Sequence, residues 1–206
     1  MILGGFSFGA LPAFELTRRL ERRGWPVPLL ISFDGFAPGY PRLLPLPIRA
    51  VKHGQALLNS EPEARRAYLA ATGASVRARV MRALGREAEL GTDMPFDEER
   101  NARAKQLGVY HRQARDNYRP ASPIGSRLLL LRIEQPEHWL GSDMDDPFYD
   151  WERYVRGPLS MSTLPGAHTM LLDSHANQVA ATEIIAKHVA QVASDLASDI
   201  AAEMNG

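Results

Sequence analysis

The sequence predicts an α/β fold built on a mostly parallel sheet with helices on both faces. Short apolar runs alternate with amphipathic segments, as strands and helices do in such a fold. A glycine-flanked serine closes the first apolar run, where a strand must turn sharply into a helix. A long helical block then separates the second apolar run from the third, which reads as an insertion into the sheet.

Met1 to Phe6 is short and apolar, consistent with a buried strand, and runs into Gly5-Phe6-Ser7-Phe8-Gly9. That G-x-S-x-G pattern holds a serine hydroxyl clear of the backbone on a tight strand-to-helix turn. Ala10 to Arg23 follows with helical spacing. Ala10, Phe14 and Leu20 are among its apolar positions, and Arg18, Arg19, Glu21 and Arg22 read as its wet face. Gly24 stops the helix as a C-terminal cap should. Val27 to Phe33 is the second strand and ends in Asp34-Gly35. Together these pieces make one right-handed βαβ unit of a parallel sheet.

Residues 36 to 47 read as loop, because Pro38, Pro41, Pro45 and Pro47 oppose regular structure. From about Ile48 to Asn117 the pattern is helical and rich in arginine, with breaks near Gly73-Ala74, Gly91-Thr92 and Met94-Pro95. One domain over residues 1–206 is expected, with a helical lid inserted at about 36–117. Leu128 to Ile133 is the third strand and Leu159 to Leu164 the fourth. The tail from about Ala176 to Met204 carries Val179, Ile184, Ile185, Val189 and Val192 at helical spacing and closes the fold.

Composition narrows the function classes. Lys+Arg and Asp+Glu both total 24, so nothing favours nucleic acid or an anionic membrane. The unbroken aliphatic run Leu128 to Leu131 is far too short to span a bilayer, and no secretory signal is evident. The absence of cysteine excludes disulfides, thiolate metal sites and cysteine nucleophiles. A cytoplasmic protein without cofactor or metal is the expectation.

Acyl transfer by serine needs a nucleophile, an imidazole to take its proton and a carboxylate to orient the imidazole. Ser7 follows the first strand and Asp34 ends the second. His168, in Pro165-Gly166-Ala167-His168, follows the fourth. All three fall at carboxyl ends of strands, where a parallel sheet places its site. Each has a plainer reading: an incidental pentapeptide, a turn aspartate before Gly35, or an ordinary loop histidine. Their order and shared placement favour the catalytic set Ser7, Asp34, His168. Asp143, Asp145, Asp146 and Asp150 read as a solvated acidic loop, with Asp150 as reserve acid. Trp139 and Trp151 read as packing residues.

With these residues in place, the sequence resembles the thioesterase domains that end or serve nonribosomal peptide and polyketide synthases. The resemblance includes the free-standing type II enzymes and places the chain in the α/β-hydrolase superfamily. It rests on Gly4 to Ala10, on Glu15, Leu20 and Gly24 of the next helix, and on Phe33-Asp34. Tyr118-Arg119-Pro120, Trp151 to Gly157 and Pro165 to His168 complete it. It implies that an acyl, peptidyl or polyketide chain arrives as a thioester on the phosphopantetheine of a carrier protein. Ser7 would then form an acyl-enzyme, with His168 as base, Asp34 as orienter and the Phe8 N–H as an oxyanion donor. Hydrolysis and macrocyclisation both remain open.

Family members carry several strands before the serine turn, so the resemblance implies that this chain lacks them, together with the second oxyanion donor. The first strand would then be an exposed sheet edge. The chain reads first as a fragment of a thioesterase domain; a short variant completed as a homodimer and a non-catalytic module that binds a carrier or partner domain are the alternatives. A general carboxylesterase of the same fold is the alternative enzyme. Arg65, Arg66, Arg77, Arg79, Arg82 and Arg86 read first as a solvated helix surface and second as a docking face for an acidic carrier. Leu57, Leu58, Val76, Val80 and Leu84 read first as helix packing and second as the lining of an acyl channel.

Overall fold

The structure, a computed structural model, describes residues 1–59, 61–63, 65, 66, 69, 73, 98–135, 142–168 and 170–204. Val76, Arg77, Arg79, Val80, Arg82, Leu84, Arg86 and Trp139 lie outside the described residues, as do the expected helix breaks at Gly91-Thr92 and Met94-Pro95. In chain order the elements are β1 (Ile2–Phe6), a 3-10 turn (Ser7–Gly9), α1 (Ala10–Glu21), β2 (Leu29–Phe33), β3 (Arg42–Leu43), α2 (Leu46–Asn59) and α3 (Glu98–Asn117). There follow β4 (Arg127–Gln135), β5 (Ser142–Asp143), a second 3-10 turn (Trp151–Arg153), β6 (Leu159–Ala167), α4 (Met170–Asp173) and α5 (His175–Met204). The chain divides into two compact units. One comprises Met1–Arg42, Arg115–Trp139 and Asp143–Gly206; the other comprises Leu43–Ala114 and Leu140–Ser142.

The first unit is built on a four-stranded, wholly parallel sheet in the order β1-β2-β4-β6. Its register pairs Phe6 with Phe33, Phe33 with Leu131, and Leu131 with Ser162, which aligns the carboxyl ends of the strands. Successive side chains of a strand point to opposite faces, so an unbroken apolar run must be covered on both. Leu30, Leu128 and Leu130 pack with Ala10 and Phe14 of α1 and with Trp151. Leu29, Ile31, Leu129, Leu131 and Ile133 pack with Leu171 of α4 and with Ala181 and Val192 of α5. The expected α/β fold, with a parallel sheet between helical layers, is therefore present.

Several boundaries move for identifiable reasons. β2 starts at Leu29, since Pro28 has no N–H to give to a ladder. α2 starts at Leu46, earlier than expected, because Pro47 sits in its first turn, where a missing N–H is harmless. β6 runs on through Ala167, so His168 leaves the strand directly. In the second unit, Arg65 Nε donates to the Leu57 carbonyl at 2.8 Å and satisfies the end of α2. Leu58, expected in packing, is exposed there.

Arg18 departs from its expected place on the wet face of α1 and is buried. Its Nε and Nη2 donate to the two oxygens of Glu15, both at 2.8 Å. Tyr118 donates its hydroxyl to Glu15 Oε2 at 2.6 Å, and Arg19 Nε donates to Oε1 at 2.6 Å. Helical spacing alone does not reveal this cluster, because Tyr118 comes from the segment after α3. Chiefly through the Arg18 hydrogen bond, the Glu15 carboxyl is held down at about 2 against an ordinary 4.5. A depressed carboxylate contributes stability that is complete above its unfolded pKa and is lost as the pH falls through its folded one. Glu15→Gln is expected to cost about 3 kcal/mol at pH 7, because it leaves Arg18 buried without a counter-ion. That deficit should shrink as the pH falls from 4.5 towards 2. Urea unfolding of both proteins at pH 7 and pH 3 checks this; an equal deficit at both would exclude the linkage.

Candidate active site

The serine turn is forced by close packing. Phe6 is still extended, with φ −91° and ψ 132°, while Ser7 has φ 54° and opens the 3-10 turn into α1. A left-handed non-glycine residue costs about 1–3 kcal/mol and persists only where its surroundings hold it. A Cβ on Gly5 would lie 2.1 Å from the Gly9 carbonyl oxygen. One on Gly35 would lie 2.3 Å from Ala10 Cβ and 2.6 Å from the Ser7 carbonyl oxygen. Gly9, the other motif glycine, has open space around it. Phe8 lies within the 3-10 turn, among the leading N–H groups of the α1 end.

Asp34 ends β2 in a second left-handed turn, with φ 50°, and is buried. Its N–H donates to the Leu131 carbonyl at 2.7 Å, which fixes the turn to β4. The turn is held from the other side as well. Trp151 Nε1 donates to the Gly35 carbonyl at 2.8 Å and Tyr154 donates its hydroxyl to the Pro38 carbonyl at 3.0 Å. Asp34 Oδ2 lies 2.6 Å from His168 Nδ1. Asp34 Oδ1 accepts from the Tyr149 hydroxyl at 3.1 Å and from the Ile133 N–H at 3.4 Å. An ionised carboxylate only accepts, so Nδ1–H is the donor of this pair, and Nε2 is left to accept whenever the ring is neutral.

His168 is braced from two directions. Its ring stacks on Phe6, with centroids 4.8 Å apart and planes 19° apart. The buried Asn177 of α5 donates through Nδ2 to the carbonyls of Pro165 at 2.9 Å and Met170 at 3.1 Å, on either side of the histidine. Thus Asp34 and His168 are joined directly. Ser7 follows β1 at the adjoining strand end, next to the Phe6 ring that His168 stacks on. Among the described residues no hydrogen bond links Ser7 Oγ to His168 or Asp34.

Asp150, the reserve acid, lies elsewhere in this network. It is buried, not part of a solvated loop, and both its oxygens lie 2.6 Å from Arg42 Nη2, with Arg153 Nη1 at 3.3 Å. Burial of the Asp150 carboxylate is compensated by these guanidinium groups. Asp143 and Asp146 accept from the N–H groups of Asp145 and Phe148 and shape the loop. Trp151 is wholly buried, as a packing residue should be. Sequence reasoning missed Tyr149 and Asn177. The aromatic block Phe148 to Trp151 was the only signal for the first, and nothing in the sequence aims it at Asp34. Among the described residues, no group of His, Asp or Glu is arranged to hold a metal. No described helix is long and apolar enough to cross a membrane.

A parallel α/β sheet with a strained serine turn and an aspartate–histidine pair at its carboxyl edge defines the class. The sequence matches the family model of the thioesterase domain over residues 2–188, and the chain belongs to that family. No curated protein gives a significant sequence match. Among solved structures, the fold is similar to the type II thioesterase BorB from the borrelidin biosynthetic cluster, at 24% identity and TM-score 0.50. That match covers 91% of this chain and 61% of BorB. It is similar to human thioesterase 2 at 15% identity and TM-score 0.54, covering 93% of this chain and 73% of that one. A four-domain nonribosomal peptide synthetase bound to AMP and glycine matches at 19% identity and TM-score 0.54, covering 90% of this chain and 14% of that one. At these identities the likeness establishes the fold.

The crowding at the turn makes a sharp prediction. Gly5→Ala should destabilise the protein by about 3 kcal/mol or prevent folding, because its Cβ meets backbone. Gly9→Ala, at helical φ −58°, should be neutral or stabilising by about 0.5 kcal/mol. Urea midpoints of the two variants test the contrast.

Proposed function

We propose that the protein is a serine thioesterase that releases an acyl, peptidyl or polyketide chain from a carrier-protein phosphopantetheine thioester. The observation that supports this most is the 2.6 Å contact between Asp34 and His168 at the sheet edge where the left-handed Ser7 leaves β1. Ser7 Oγ attacks the thioester carbonyl while His168 Nε2 takes its proton, and the Asp34 charge stabilises the imidazolium that forms. The carbonyl oxygen becomes an oxyanion near the start of α1, where the Phe8 N–H is the proposed donor. The carbon–sulfur bond then breaks. The pantetheine thiolate takes the proton from His168, and the acyl group remains as an ester on Ser7. Water releases the acid by the same steps in reverse, or a hydroxyl or amine of the chain itself releases a ring. Family membership, with fold similarity to a type II thioesterase of a biosynthetic cluster and to a four-domain nonribosomal peptide synthetase, supports the carrier-bound substrate.

Fluorophosphonate labelling and turnover of acyl-pantetheine thioesters against small chromogenic esters test the reading. Wild type should label on Ser7 and prefer thioesters. Ser7→Ala should not label, and Asp34→Asn should lose about ten-thousand-fold in rate. Asp150→Asn should still label, since Asp150 is engaged by Arg42. A folded wild type that does not label would sink the enzyme reading and favour a binding module. Preference for chromogenic esters would favour a carboxylesterase.

A further inference from the structure

We infer that Tyr149 is a positioning residue that sets the orientation of the Asp34 carboxylate. This rests on the acyl-transfer role proposed for Asp34 and His168. Three donors reach Asp34 from three separate segments of the chain, and their geometry divides its two oxygens. Oδ2 is given to His168, while Oδ1 is taken by the Tyr149 hydroxyl and the Ile133 N–H. With Oδ1 occupied, rotation about the carboxyl bond would break two hydrogen bonds, so Oδ2 stays aimed at the imidazole.

Tyr149 is itself held to this task. It is wholly buried and adopts φ 54°, a left-handed conformation that a tyrosine rarely takes. Its ring meets Phe36 edge-on at 4.8 Å and stacks on Tyr40 at 5.8 Å, and the Arg132 guanidinium lies 4.7 Å above it. Its carbonyl accepts from the Ala37 N–H at 3.1 Å, so the loop after Asp34 and the tyrosine fix each other. The next residue, Asp150, is also left-handed and is clamped by Arg42. Burial, reinforced by the Asp34 charge, pushes the phenol far above its ordinary range, so it stays protonated and donates throughout the working pH.

Tyr149→Phe removes the donor while keeping the ring and its contacts. The Asp34 carboxylate then has one donor fewer to share its unchanged charge with, so His168 should hold its proton more tightly. Labelling of Ser7 by a fluorophosphonate should slow about tenfold at the optimum, a hydrogen bond to a charged group being worth about that. The acid limb of its pH profile should move up by about half a unit. The downfield proton resonance of His168 Nδ1–H should also shift, and that signal needs no turnover. Packing loss alone would slow the reaction or lower the melting temperature while leaving the pH limb and the resonance in place, and that result overturns the proposal. So does a Tyr149→Phe protein that matches wild type in all three readouts. If wild type does not label, the enzyme reading fails by itself, and the resonance still decides whether Tyr149 sets Asp34.

Discussion

The close approach of two backbone turns governs this structure. Gly35, just after Asp34, lies so near the Ser7 carbonyl and Ala10 that a single methyl group would not fit between them. The serine turn and the aspartate turn are therefore one packed object. Both residues sit in left-handed backbone conformations that only dense surroundings sustain. The sheet supplies that density. With β2 between β1 and β4, its carboxyl end is bounded on both sides, and the Asp34 N–H completes the ladder through the Leu131 carbonyl.

The sheet was legible in the sequence because its apolar runs are unbroken. Leu29 to Ile31 and Leu128 to Leu131 have no polar face, so each strand had to be covered twice, which specifies helices on both sides. The strand-end placement of Ser7, Asp34 and His168 was legible because it is a local property. What was not legible depends on long-range contact. Arg18 occupies a polar position by helical spacing, and only Tyr118 and Glu15 together make its burial tolerable. Tyr149 reaches Asp34 through a left-handed backbone that no composition rule assigns to tyrosine. The two glycines of the serine motif look equivalent in sequence. Only packing reveals that Gly5 is sterically required and Gly9 is not.

The two buried aspartates among the described residues of this unit show how partners divide the possible uses of a carboxylate. Asp150 faces guanidinium groups from Arg42 and Arg153, so its charge is cancelled where it stands and it serves the architecture. Asp34 faces a tyrosine hydroxyl, a backbone N–H and an imidazole, of which only the imidazole can gain a full charge. Arg132, the cation close by, lies over the Tyr149 ring, and its Nη1 donates to the Pro147 carbonyl at 3.2 Å. A guanidinium bound to Asp34 would cancel its field at the histidine. Neutral donors meet the cost of burying the carboxylate and leave that field directed along the short bond to Nδ1. The same physics that offsets the Asp150 charge thus leaves the Asp34 field uncancelled at His168, as the role proposed for Asp34 requires.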